Sequence, residues 1–435
     1  MTAAAKVVRA RPVANIMIVA LFATTTALGA GFAIKNLCTL HVGDGFQYRS
    51  SCYNDVYSLY SFRGLHDQPI PYIHGDGVLS EGHETGDLEY PVGTGLFIAL
   101  IAELVTTGIA FFRATALGLA LLGLFTTVVL MMLARDRRRV FFFALGPSLI
   151  LYAFHNWDLL AVAAMVGGLY AFHRRADRTA GVLLGLGAAA KVFPGLLIPA
   201  LMLARYKEQP EGRRRVSWGM FGWASGVFVA VNLPIMLINF RAWLLPWRFQ
   251  SVRFPNYETW SYFAFYNIRS AASRAFWHHE YSRMTSLAAA AAFIVAAVLM
   301  LRREARRPIV RPYVVSFRLL LLFLITGKIF SPQYMLWVLP FFVLLELPWY
   351  SYVAFAVSDA SVWFAISNFF YHRQGNAHAP VALLIVELTT FARYAALAWL
   401  FVLAGRHPEN IDDVATIVRG GDHIVPLDDV STPRA

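Results

Sequence analysis

Residues 15–34, NIMIVALFATTTALGAGFAI, run for twenty positions without a charged side chain, with Lys6, Arg9 and Arg11 before them and Lys35 directly after. A helix needs about 20 apolar residues to cross the hydrocarbon core of a bilayer. A cleaved signal peptide carries a shorter apolar stretch, of roughly 7–15 residues, so this segment reads as a retained span. Runs of the same character follow at about 114–134, 140–154, 158–172, 217–238, 285–301, 312–328, 333–348, 351–370 and 380–404. The chain therefore reads as an all-α polytopic membrane protein. Its composition agrees, with 58% of the 435 residues apolar and 15% charged, against roughly a quarter charged in soluble domains.

The net charge of +12 would suit a nucleic-acid partner, but the basic residues stand in short clusters between apolar runs: RDRRR (135–139), HRRADR (173–178), RYKEQPEGRRR (205–215) and RREARRPIVR (302–311). That is the positive-inside pattern of cytoplasmic loops, which points to membrane lipids and not to nucleic acid. If the run at 114–134 ends inside at RDRRR, residues 35–113 form one long outer segment, with EYPVGTGLFIALIAELV (89–105) as a juxtamembrane or half-inserted helix. The stretch 179–204 has basic clusters at both ends and Lys191 and Pro194 in its middle. Ends on the same side require an even number of crossings, so it divides into two short helices that meet near Lys191 on the outer side. The tally is about 12 transmembrane helices with both termini cytoplasmic, outer loops at 35–113 and 239–284, one integral membrane domain over 1–404 and a polar cytoplasmic tail over 405–435.

Both cysteines, Cys38 and Cys52, fall in the first outer loop. Free thiols and a disulfide are both open; in an oxidising compartment a bridge closing so short a loop would add about 3 kcal/mol by loop entropy.

Parity places Asp55, Glu89, Asn156, Asp158, Lys191, Arg253, Lys328 and Gln333 near one outer face, although they are scattered along the chain. Ionisable groups at a membrane are costly, which makes each a functional candidate. Asp55, in SSCYNDVYSLY, is either a cap on a short amphipathic helix bearing Val56, Leu59, Tyr60 and Phe62 or a catalytic carboxylate, and the second reading is the stronger. Glu89 precedes a Tyr-Pro step that opens an apolar helix, so capping competes with substrate or metal binding. Asn156 and Asp158 flank the interfacial Trp157, and plain loop polarity competes with substrate contact. Lys191, between two short apolar helices, must snorkel or meet an anion, and a lipid phosphate is the anion at hand.

GKIFSPQYMLW (327–337) breaks an apolar run with Ser-Pro and gathers Lys328, Gln333 and Tyr334, either as a plain turn or as phosphate and sugar contacts. In the second outer loop Arg241, Arg248, Arg253 and Arg269 stand among aromatics that either anchor in the interface or stack on sugar rings while arginine holds phosphate. No phosphate-binding glycine loop, dinucleotide fingerprint or GxSxG elbow is present. His66, His74, His83, His278 and His279 lack ligand spacing, so no metal site is assigned.

The stretches YNDVYSLY, LEYPVGTGLF, NWDLLAVA, GVLLGLGAAAKVFPGLLIP and SPQYMLWVLP occur in an order that resembles the GT-C class of membrane glycosyltransferases. Within it the chain is similar to glycosyltransferase family 87, the polyprenol-phosphate-mannose-dependent mannosyltransferases of actinobacteria, over roughly residues 15–404. The resemblance implies a GT-C-like bundle whose long first outer loop carries juxtamembrane helices. It implies a polyprenyl-phosphate sugar donor, a glycolipid or lipoglycan acceptor of the cell envelope, and an active site on the outer face of the plasma membrane. Mannose is the first sugar to expect and arabinofuranose the alternative. By position the family's catalytic base maps onto Asp55. A divalent cation stays open as a cofactor. Some members carry a histidine-rich segment after this Ser-Pro; here SPQYMLW has no histidine.

The chemistry also stands without the family name. A lipid phosphate is a good leaving group and needs no general acid, only cations such as Lys191, Arg253 and Lys328 around its charge. The acceptor hydroxyl must lose its proton as it attacks from the opposite face, for which one aspartate, Asp55, suffices. Glu89, Asn156, Asp158, Gln333 and Tyr334 are then left as substrate contacts, and the product is inverted. A transporter or flippase of a lipid-linked sugar is the rival; it would carry internal repeats and ionisable residues near midspan, whereas the polar groups here gather at one face. A noncatalytic scaffold would not require Asp55.

Overall fold

A computed structural model of the chain describes residues 2–41, 44–78, 87–268, 271–373 and 378–411, the side chains of 2–14 and 268–279 excepted. Residues 412–435 of the expected tail, Arg269, His83 and the side chains of His278 and His279 lie outside the described residues. Among those described the regular structure is helical, with only two isolated bridges, Ala134 to Ile411 and Leu345 to Glu409.

Among the described residues six helices are long and apolar enough to cross a membrane: Asn15–Leu40, Gly108–Leu133, Gly219–Ile238, Glu280–Ala305, Trp349–His372 and Ala379–Ala404. The shorter apolar helices Val92–Ala102, Asp158–His173, Pro312–Thr326 and Pro332–Leu344 pack among them. The protein is a multi-pass membrane protein. Two stretches expected as single spans are interrupted. Residues 140–154 divide into Phe141–Ala144 and Pro147–Tyr152, and residues 333–348 into Met335–Val338 and Phe341–Leu344. Pro147 and Pro340 stand at the breaks, where proline supplies no amide hydrogen and its ring blocks the preceding turn. Such breaks persist because protein, not lipid, covers them: Phe143, Ala144, Leu339 and Phe341 beside them are fully buried. Where the second stretch ends after Leu344, Arg139 donates to the Phe342 carbonyl at 3.1 Å and Asn410 to that of Val343 at 2.8 Å. The stretch 179–204 divides at Lys191, between Asp177–Ala190 and the turn Phe193–Leu197 that leads into Ile198–Lys207.

Small residues let the helices approach. Gly181 and Gly185 of Asp177–Ala190 face the carbonyls of Met220 and Ala224 with no room for a side chain. A Cβ on Gly93 would lie 2.6 Å from the Ala189 carbonyl carbon, and the neighbouring Thr94 hydroxyl donates to the Ala190 carbonyl at 2.8 Å. These contacts dock the start of Val92–Ala102 onto the end of Asp177–Ala190, which brings Glu89 and Tyr90 beside Lys191. Cys38 and Cys52 form a disulfide that ties the first helix to the loop before Asp55. Lys35, buried one turn earlier, donates to the carbonyls of Ser51 at 3.3 Å and Tyr53 at 2.9 Å and lies 4.1 Å from the centre of the Trp363 ring.

The helix Gly108–Leu133 joins the two ends of the bundle, its 26 residues rising about 39 Å. It starts against Tyr57 and Tyr60 of the helix Asp55–Phe62 and ends at the RDRRR cluster, where Arg135 pairs with Glu346. The other basic clusters meet at this far end, through Arg175 with Glu208, Arg205 with Asp177, Lys207 on the Ala305 carbonyl and Arg311 on the carbonyls of Gly405 and His407. Asp55 and the basic clusters thus occupy opposite ends.

Candidate active site

A cavity of about 1500 Å³ opens at the Asp55 end, and Asp55, Glu89, Asn156, Lys191, Arg253, Lys328, Gln333 and Tyr334 line it, whereas Asp158, Arg241 and Arg248 do not. Asn54, not Asp55, caps the short helix, its side chain accepting from the Tyr57 amide at 2.8 Å. The Asp55 carboxylate is therefore free to face the cavity, while its amide donates to the His155 carbonyl at 2.8 Å. Oδ2 of Asp55 accepts from the Tyr90 hydroxyl at 2.8 Å and from Nδ2 of Asn156 at 2.9 Å, and that same Nδ2 lies 2.6 Å from the Tyr90 oxygen. Tyr53 lines the same cavity close enough for its hydroxyl to feel the Asp55 charge. The charge of Asp55, then burial, holds the Tyr53 hydroxyl well above its ordinary pKa; burial, then Asp55, does the same at Tyr90. Both phenols stay protonated, and that of Tyr90 donates. Beside them, burial and then the Lys35 charge push the His155 imidazole down to about 4, so it is neutral at ordinary pH.

Lys191 stands where the two short helices meet, and its ammonium pairs with Oδ2 of Asp158 at 2.7 Å. Oδ1 of Asp158 accepts from the Trp337 indole at 2.6 Å. Asp158 is 0% exposed, so the substrate contact expected of it does not form; it stands behind the wall and holds Lys191 in place. Three rings surround the ammonium, with centroids at 5.5 Å for Tyr334, 5.8 Å for Tyr90 and 6.0 Å for Trp337, an arrangement that favours a cation. Glu89 makes no cap to Val92–Ala102; it takes a two-pronged bond from Arg63, both distances 2.9 Å.

On the second outer segment Arg253 ends the helix Phe240–Val252 and faces the cavity. Its guanidinium packs over Phe249 at 5.6 Å and has no carboxylate in ion-pair range among the described residues. Lys328, in the linker after Pro312–Thr326, donates to the Ser251 carbonyl at 2.9 Å and to the Ser282 carbonyl and hydroxyl at 3.1 and 3.0 Å. All three of its protons are engaged inside the protein, so its charge, rather than a direct hydrogen bond, is what it offers an anion. Burial and then the neighbouring Arg253 push it down to about 8. Gln333 is 5% exposed and its Oε1 has no partner among the described residues. Tyr334 stacks on Trp337 at 4.0 Å.

The family model for Glycosyltransferase family 87 matches residues 88–332, more than half of the chain. The chain belongs to glycosyltransferase family 87. It is thereby a membrane glycosyltransferase. No curated protein matches it. Among solved structures it is similar to ArnT from Cupriavidus metallidurans bound to undecaprenyl phosphate, at 15% identity over 88% of this chain and 76% of that one with a TM-score of 0.43. It is also similar to the apo oligosaccharyltransferase of Archaeoglobus fulgidus, at 11% identity over 91% of this chain and 57% of that one with a TM-score of 0.38. These likenesses are too distant to carry any argument about the site.

The family 87 match takes in Glu89, Asn156, Asp158, Lys191, Arg253 and Lys328 and begins after Asp55. Sequence reading alone passed over Tyr53, Arg63, Tyr90, His155 and Glu258, all of which line the same cavity. Tyr90 was in plain view inside LEYPV, between a carboxylate and a helix start, but a tyrosine at an interface is ordinary and drew no notice. Among the described residues no three histidine, cysteine or acidic side chains group as metal ligands.

Proposed function

We propose that this family 87 glycosyltransferase moves one sugar, mannose first among the candidates, from a polyprenyl phosphate to a hydroxyl of a glycolipid or lipoglycan, with inversion. In this reading the acceptor oxygen bonds to the anomeric carbon while its proton passes to Asp55. The bond from that carbon to the phosphate oxygen breaks, and its electron pair leaves on the polyprenyl phosphate. Lys191 and Arg253 stand where they can meet the growing phosphate charge, with Lys328 adding its field from behind. Tyr90 and Asn156 orient the carboxylate toward the acceptor; Glu89, Gln333 and Tyr334 are assigned to the substrate.

The observation that carries this reading is the triangle of Asp55, Tyr90 and Asn156 in the cavity wall with Lys191 over the Tyr90 ring. A carboxylate and a cation held by one shared tyrosine suit a base and a leaving-group site on either side of a single sugar. The basic clusters gather at the opposite end, which by the positive-inside rule supports an active site on the outer face of the plasma membrane and cytoplasmic termini. The whole of 1–404 acts as one catalytic domain in this scheme.

The test is transfer by purified protein in detergent, with radiolabelled polyprenyl-phosphate mannose and an envelope glycolipid extract. Asp55→Asn should lower the rate by about a thousandfold, within the usual range for loss of a general base, while polyprenyl-phosphate binding stays. Equal rates for both proteins would remove Asp55 from the chemistry.

A further inference from the structure

We infer that a row of aromatic side chains leading away from Asp55 binds the acceptor, and that the acceptor presents at least two linked sugar rings to it; this rests on the reading of Asp55 as the base. The row begins at Tyr53, two positions before Asp55; both line the cavity and both meet His155, which takes the Asp55 amide on its carbonyl at 2.8 Å and has its Nδ1 3.1 Å from the Tyr53 carbonyl. Tyr48 follows at 5.9 Å between ring centroids, Phe370 at 5.3 Å from Tyr48, Tyr257 at 5.6 Å from Phe370, and Tyr262 at 4.7 Å from Tyr257. These rings come from separate parts of the chain, and all of them line the cavity.

Packing alone does not account for the row. Each of its rings is half-buried, whereas the aromatics behind it, Phe263 and Phe369, are sealed at 1% and 5% exposure. The rings meet at angles from 26° to 89° and so offer both faces and edges; such a row, backed by core and open in front, suits the apolar faces of pyranose rings. Five rings in sequence extend well beyond the reach of one sugar, hence a glycan of two or more.

Of the polar groups along the far part of the row, Glu258 and Oδ1 of Asn256 can accept, while the Arg373 guanidinium lies over the Tyr257 ring at 5.2 Å. Glu258 lines the cavity at 6% exposure. Oδ1 of Asn256 has no partner among the described residues, and its Nδ2 points to the Ser331 hydroxyl at 3.4 Å. The unpartnered Oδ1 of Asn256 suits a ligand that brings hydroxyls. With the Glu258 carboxylate it disfavours a phosphate, which needs donors. The two also disfavour a polyprenyl chain, for which the apolar wall of Phe293, Ile294 and Phe323 elsewhere in the cavity is the better match. Asp55 thus has the cation Lys191 on one side, through Tyr90, and the aromatic row on the other, through Tyr53. A glycan lying along the row would bring its terminal hydroxyl to the carboxylate.

The experiment is calorimetric binding to the purified full chain, with octyl glycosides of two linked pyranoses in the manno and gluco configurations, octyl glycerol ether as the ringless control, and polyprenyl phosphate in parallel. At least one disaccharide should bind about tenfold more tightly than the glycerol ether. Tyr257→Ala and Phe370→Ala should each weaken that disaccharide by about tenfold, Tyr257→Phe should restore it to within about twofold, and polyprenyl-phosphate affinity should hold in all three. The inference is overturned if both disaccharides bind no better than the ether, if neither alanine variant weakens them, or if polyprenyl-phosphate affinity falls in step. Asp55→Asn should bind the disaccharide as the wild type does, so the row is tested on binding even where Asp55 fails as the base.

Discussion

At the end of the bundle that carries Asp55, charged side chains pair with other side chains and face a cavity, as Arg63 with Glu89 and Lys191 with Asp158 do. At the far end many of them turn to backbone carbonyls: Arg139 holds Phe342 and Leu347, Arg311 holds Gly405 and His407, and Lys207 holds Ala305. The same residue types thus do two jobs. Where helices break and the chain must be fastened, arginine supplies several donors in a fixed fork and satisfies loose carbonyls. Where charge must be presented to a ligand, Lys191 is steadied by a carboxylate and rings and Arg253 by a ring, and both line the cavity; Lys328, held by Ser251 and Ser282, stands between the two kinds. Damage at the first end should therefore cost chemistry, and damage at the second only stability.

The largest effect is expected at Asp158. Removing it as Asp158→Ala leaves the Lys191 ammonium without its carboxylate in a largely buried site and frees the Trp337 indole. Breaking such a pair costs about 3 kcal/mol, and the loosened lysine should lose most of the transfer activity as well. The double variant Asp158→Leu with Lys191→Met replaces the pair by apolar side chains and should regain most of the stability, as buried pairs commonly allow, without regaining transfer. Thermal unfolding and transfer rates measured on the same preparations check this. Activity returning with stability would mean that the pair only holds the fold.

A smaller effect, and of the other kind, is expected at Arg311. Its two bonds, 2.7 Å to the His407 carbonyl and 2.6 Å to that of Gly405, fasten the end of the last helix. Arg311→Ala should lower stability by about 1–2 kcal/mol and leave the turnover of the remaining folded protein unchanged. A fall in turnover at constant folded fraction would break the contrast between the ends.

How much of this was legible beforehand follows from the same contrast. Asp55, Glu89, Asn156 and Gln333 sit at the boundaries of apolar runs, so counting crossings was enough to bring them to one face. Lys191 stood out because a lone lysine in an apolar stretch is costly. Asp158 also stood out, but as a substrate contact; that it pairs with Lys191 was not legible, because 33 positions separate the two and a tertiary ion pair leaves no mark in local pattern. For the same reason the reading of Glu89, which left capping and substrate or metal binding open, did not include its partner Arg63. Residues 140–154 and 333–348 read as plain spans because hydropathy does not register that the chain is broken at Pro147 and Pro340. The aromatic row was visible only as richness in tyrosine and phenylalanine; its order depends on Tyr48, Tyr257 and Phe370 meeting from distant parts of the chain.

The smallest expected effect separates field from contact at Lys328. Its ammonium is pushed down to about 8 by burial and then by Arg253, and its protons are all held by Ser251 and Ser282. Above that pH the charge disappears from behind Arg253. An anion in the cavity should then bind less tightly, by about twofold to fivefold, the size of an unbonded charge in a partly wet site. Folding stability should move the other way. Between about 8 and the ordinary lysine value of 10.5, the folded chain holds fewer protons at this site than the unfolded one, so the contribution of Lys328 to stability rises with pH. Both are read as ratios of wild type to Lys328→Met, polyprenyl-phosphate affinity for the first and thermal unfolding for the second, which cancels the titration of the phosphate itself. If affinity and stability fell together as pH rose, Lys328 would be a fastening like Arg311, and the division of labour between the two ends would not extend to it.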